Sequence, residues 1–120
     1  MPTFKRFEDI QAWQKAREVT KLVYSLTKKG EFARDFGLRD QIRRSSVSIM
    51  ANIAEGFSRR SDKDFANFLN ISRSSAAEVQ SHLYVAMDQD YLEAADFDLI
   101  YNKLEETSRM IFALAKHLVL

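Results

Sequence analysis

The sequence predicts an all-α protein, an antiparallel up-down-up-down four-helix bundle. Three observations lead there. Apolar residues recur at helical spacing along nearly the whole chain. Gly and Pro are scarce, three and one in 120 residues, and Gly30, Gly37 and Gly56 punctuate an otherwise unbroken helical composition. No stretch alternates apolar and polar residues over a strand's length. Long amphipathic helices joined by short connections become antiparallel neighbours. The expected helices, about 8–28, 37–57, 62–89 and 95–118, lie in one domain covering 1–120.

The first helix is expected from Glu8 to Lys28, with Ala12, Ala16, Val19, Val23 and Leu26 stepping by four and three. Lys28 and Lys29 suit the negative end of its dipole, and Gly30 suits a left-handed cap. The second, Gly37 to Phe57, aligns Leu38, Ile42, Ser45, Ile49 and Ile53. Gly56, near its end, serves either as a C-cap or as a point of close helix crossing. In the third, Ser61 is an N-cap with Asp64 three residues on, a variant of the capping box. Its stripe is Phe65, Leu69, Ser72, Ala76, Val79, Leu83 and Ala86. The fourth carries Phe97, Ile100, Leu104, Thr107, Ile111, Leu114 and Leu118, alternating three and four, the seam of a coiled-coil-like bundle.

Helix 2 holds polar residues where leucines would serve. Ser45 and Asn52 lie on its apolar face, and Ser48 and Glu55 border it. Ser72 and Ser75 answer from helix 3. Small residues admit close backbones, and a buried amide costs about 1–3 kcal/mol unless paired. Ser48, Asn52 and Glu55 are therefore read as a structural polar network tying helix 2 to a neighbour. Val47, Met50, Ala51 and Ala54 form a second apolar strip opposite the first. A helix apolar on two sides is usually buried on two sides, so this strip is the expected oligomer interface.

The segment Gly37 to Val79, GLRDQIRRSSVSIMANIAEGFSRRSDKDFANFLNISRSSAAEV, resembles the signature of the bundle proteins encoded in intervening sequences of bacterial 23S ribosomal RNA genes, the S23 family. The matching features are Gly37-Leu38, Gln41 to Arg44, Ser48, Asn52 to Gly56, Phe65, Phe68-Leu69, Ser75 and Glu78. Phe7, Ile10 and Trp13 resemble the family's opening helix, so the likeness runs from Phe7 to Leu118. It implies a cytoplasmic four-helix bundle assembled as a homopentamer, and it transfers no catalytic residue. A more distant likeness is to the accessory variability determinants of diversity-generating retroelements, basic pentameric bundles that bind reverse transcriptase and nucleic acid. This chain is near neutral at +1, and their activity is not carried over.

The charge is unevenly spread. Residues 1–60 hold 13 Lys/Arg and 7 Asp/Glu, and residues 61–120 hold 5 and 10. Pairing between basic and acidic helices explains this, as does a nucleic-acid surface. Candidate nucleic-acid contacts are Arg39, Arg43, Arg44, Arg59, Arg60 and Lys63. With no aromatic RNA-recognition motif, such contacts would read backbone or shape.

An enzyme is not expected. Glu78 and His82 are spaced Glu-x-x-x-His, where bundle di-metal sites use Glu-x-x-His, and there are only two histidines. No catalytic residue, cofactor, metal or small-molecule substrate is assigned. There is no cysteine, and the opening MPTFKRFEDIQAW has neither an apolar core nor a cleavage motif. A cytoplasmic location is expected. Lys15, Arg17 and Lys21 give helix 1 a basic face, but amphipathic core helices look alike, and no membrane partner is expected. The expected function is a non-enzymatic homo-oligomeric interaction module that docks structured RNA or a nucleic-acid-associated protein. The alternative is a purely structural, protein-docking oligomer.

Overall fold

The computed structural model describes residues 4–119. Four α-helices account for most of them: α1 (Gln11–Thr27), α2 (Phe36–Phe57), α3 (Asp62–Asp88) and α4 (Ala94–Leu118). No strand occurs among the described residues. The molecule measures 45 × 21 × 19 Å.

Side-chain pairings fix the direction of every neighbour. Gly56 meets Phe65 and Phe68, whereas Ser45, earlier in α2, meets Glu78, later in α3. Arg73 lies over Phe112 and Gln80 bonds Glu105, so α4 runs back along α3. Thr20 bonds the Ser46 carbonyl, while Thr27 accepts from Arg43. Lys15 pairs with Glu106 and Lys103 with Glu18. All four neighbour pairs are antiparallel, giving the up-down-up-down order with α4 closing against α1. Some of the basic first half is thereby matched to the acidic second half. The Lys103 ammonium, bonded to Glu18, holds that carboxyl below its usual range.

The core follows the apolar stripes. Val19, Val23, Ile42, Ile49, Ile53, Leu69, Leu83, Leu104 and Ile111 are fully enclosed. The α4 seam drifts at its end, where Ala115 is buried and Leu114 half-buried. An α-helix has 3.6 residues per turn, so a 3.5-residue pattern rotates slowly off the seam.

Two details depart from the expected boundaries. Helix 1 does not begin at Glu8. Phe7–Asp9 form a 3-10 turn whose Asp9 carboxylate accepts from the Lys5 and Arg6 amides, and the chain is extended at Ile10 before α1 begins. The α1–α2 connection holds a second 3-10 turn, Gly30–Arg34, that places Phe32 in the core. Gly30 is left-handed, at φ 56°, two residues beyond the C-cap Lys28.

Local capping matches the chemistry of the ends. Ser61 accepts from the Asp64 amide at 3.1 Å. Asp35 caps α2 by accepting from the Leu38 amide, and its other oxygen accepts from the Tyr91 hydroxyl at 2.9 Å. That bond raises the Tyr91 hydroxyl's pKa, because a neighbouring carboxylate disfavours the phenolate. α3 ends in a Schellman motif: Asp90 is left-handed, its amide bonds the Met87 carbonyl, and the Tyr91 amide bonds that of Ala86.

Candidate interaction surfaces

The α2–α3 contact is the closest in the bundle, and small residues make it so. Gly56 lies against Phe65 and Phe68. Ser72, fully buried, donates to the Ile49 carbonyl at 2.7 Å. One turn further, the Ser48 and Ser75 hydroxyls bond at 2.9 Å. Asn52 donates to both the carbonyl (2.8 Å) and the hydroxyl (3.0 Å) of Ser48. The amide thus leaves the Ser48 hydroxyl proton free to point across at Ser75. Ser45 completes the row, its single hydroxyl proton shared between the Gln41 carbonyl at 2.9 Å and the Glu78 carboxylate at 3.0 Å.

Glu55 does not join this row. It is exposed, accepts from Ser58 one turn on, and pairs with Arg59 at 3.4 Å. Position 55 lies just past the wheel sector facing α3, so its carboxylate turns to solvent. Glu78 from α3 supplies the acidic end instead. A sequence reading confined to α2 could not find it, although Glu78 does fall a turn after Ser75.

The six basic residues split by depth and by place. Arg39 bonds the Ala33 carbonyl and Asp40 and lies over Phe36. Arg43 donates to Thr27 at 2.7 Å and lies over Tyr24. These two fasten α2 to the connection before it and to α1. Arg44 is exposed part-way along α2. Arg59, Arg60 and Lys63 are exposed at the α2–α3 turn, some 20 Å from Arg44 at about 1.5 Å per residue. Arg59 pairs with Glu55 and covers Phe68. Lys63 lines a groove of 780 Å³ between α3 and α4, whose other basic wall is Lys116. Arg59 and Arg60 line an adjoining cleft that shares Leu118 with that groove. Lys116 was not among the expected contacts, because 53 positions separate it from Lys63.

The second strip of α2 is only partly outward. Val47 is 40% exposed and Ala51 is exposed, while Ala54 is half-buried. Met50 leans toward α1, with its sulfur 3.5 Å from the Thr20 hydroxyl, and is half-buried.

The interior offers hydroxyls. Its buried polar side chains are Thr27, Ser45, Ser46, Ser72, Ser75 and Thr107. Thr27, Ser45, Ser46 and Thr107 bond carbonyls in the preceding turn of their own helix. No group of three or more His, Asp or Glu able to hold a metal occurs among the described residues. His82 and Glu78 stand 3.9 Å apart. No helix among the described residues is long and apolar enough to cross a membrane.

Comparison with known proteins places this geometry. A crystal structure from Bacteroides thetaiotaomicron, a protein of unknown function from the S23 ribosomal protein family, is 27% identical. It superposes with a TM-score of 0.80 over 88% of this chain and 95% of its own. No curated protein matches the sequence. The family model described as 23S rRNA-intervening sequence protein matches residues 8–113, from the opening 3-10 turn to the last turns of α4, and the chain belongs to that family.

Proposed function

We propose that the protein is a non-enzymatic interaction module that works as an assembly of copies and holds the phosphate backbone of structured RNA at its basic end. The observation that carries this is the grouping of Arg59, Arg60, Lys63 and Lys116, all exposed, around the α2–α3 turn and the end of α4. Repetition of such a cluster around an assembly multiplies weak phosphate contacts.

The test is filter binding of the full chain to structured RNA at two salt concentrations. With three to four phosphate contacts per site, a fourfold rise in salt should weaken binding by roughly tens of fold. Arg60→Glu and Lys116→Glu should each weaken it further at low salt. Absence of salt-sensitive retention at low salt would leave a docking oligomer without nucleic acid.

Self-association rests on the outward part of α2, Val47, Ala51 and Ala54, with Phe36 62% exposed at the same helix's start. Val47→Glu should reduce the mass measured by light scattering to that of one chain while leaving helicity unchanged. Met50→Glu is a poorer probe: Met50 packs on Thr20, and a carboxylate there would also strain the α1–α2 contact. Unchanged mass for Val47→Glu removes this interface.

A further inference from the structure

Arginine over an aromatic ring is a repeated device in this chain. Arg17 covers Trp13, Arg39 covers Phe36, Arg43 covers Tyr24, Arg59 covers Phe68 and Arg73 covers Phe112, at 4.7–5.8 Å. The largest aromatic group has no such cover among the described residues. Tyr84 of α3 meets Phe97 and Tyr101 of α4 edge-on, at 5.0 and 5.8 Å, and Phe97 stacks on Tyr101. Tyr84 is 54% exposed, and Val85 (44%) adds apolar surface beside it on α3.

The rim of this patch is acidic. Asp88 lies one turn beyond Tyr84 and Asp98 one turn before Tyr101, each on the same helix face as its ring. Glu105, one turn past Tyr101, is held by Gln80 at 2.8 Å. Lys103, two residues past Tyr101, turns to α1 and is engaged by Glu18. Exposed rings among carboxylates favour a guanidinium, which is attracted by both. They disfavour a phosphate backbone.

A matching counterpart exists on the chain itself. Arg44 is exposed and has no ion pair or ring contact among the described residues. It shares the outward side of α2 with Val47 and Ala51, while the acids nearby on that helix, Asp40 and Glu55, are engaged by Arg39 and Arg59. The strip therefore presents apolar surface with one free positive charge.

We infer that the outward strip of α2 seats on the Tyr84–Phe97–Tyr101 patch of a second copy, with Arg44 over the exposed ring and between Asp88 and Asp98. This rests on the self-association reading above and names the surface that receives it. The contact joins two different faces, so each copy keeps one free donor strip and one free receptor patch, and repetition closes into a ring if the rotation allows.

The test is a charge swap on the full chain, followed by sedimentation over a range of concentrations. Arg44→Glu alone, and Asp88→Arg with Asp98→Arg, should each raise the concentration needed for assembly on the order of tenfold or more, since like charges then face each other. Combining the three changes on one chain, Arg44→Glu with Asp88→Arg and Asp98→Arg, should recover assembly, because every interface then pairs opposite charges whatever the number of copies. Tyr84→Ala should weaken assembly without altering helicity. If Val47→Glu dissociates the protein but the swap variants and Tyr84→Ala assemble normally, α2 uses another receptor and this inference falls alone. A triple variant that folds but stays dissociated also overturns it. A monomeric wild-type chain removes both readings.

Discussion

Gly56→Ala should lower stability by about 1–2 kcal/mol, and Gly56→Leu should prevent the bundle from forming. The sign is the informative part. In an exposed helix, replacing Gly by Ala gains about 1 kcal/mol. Here a Cβ would lie 2.8 Å from the Cβ of Phe68, 2.9 Å from Cδ1 of Phe65 and 3.2 Å from the Phe65 carbonyl oxygen. Two of those three atoms are fixed to the α3 backbone and cannot rotate aside. The helices must separate, and overpacking of this kind costs about 1–3 kcal/mol, occasionally more. Separation would also stretch the Ser72–Ile49 and Ser48–Ser75 bonds, which depend on the same close approach. Urea unfolding measures the change. A gain in stability on Gly56→Ala would mean that the crossing relaxes freely and that closeness is not what the glycine is for.

That crossing also shows how far the sequence could be read. Helix type and approximate span were legible because apolar spacing is a property of one helix at a time. Ile42, Ile49 and Ile53, or Leu69, Val79 and Leu83, fall in the core wherever the neighbours stand. The pairing of Ser48 with Ser75 was half legible: small polar residues on facing stripes announce closeness, but the wheel does not say which side chain meets which. Glu55 and Glu78 exchanged places for that reason. Arg39 and Arg43 are equally instructive. As sequence they join Arg44 in a basic run. In space their guanidiniums turn back to Ala33 and Thr27 and lie over aromatic rings. A side chain of Arg's length chooses its partner from several turns of several helices, so charge alone cannot place it. The Lys63–Lys116 groove and the Tyr84 patch each join two helices, and only the bundle brings their halves together.

Phe32→Ala should cost about 3–5 kcal/mol, among the largest losses available from a single truncation here. Phe32 sits in the connection between α1 and α2, where a short loop would ordinarily be polar and forgiving. The 3-10 turn over Gly30–Arg34 instead drives the ring fully into the core. It stacks on Tyr91 at a centroid distance of 5.2 Å, and Tyr91 in turn donates to the Asp35 carboxylate that caps α2. One ring thus fastens the α1–α2 connection to the α3–α4 connection. Its loss leaves a cavity at the end of the bundle and frees Tyr91 from one side. Tyr91→Phe keeps the stack and removes only the hydroxyl's bond, so it should cost about 1 kcal/mol. Thermal unfolding separates the two: a drop of roughly 10–20 °C is expected for Phe32→Ala and a few degrees for Tyr91→Phe. Equal small shifts would mean that this end of the bundle opens independently, and that the connections are held by the helices and not by Phe32.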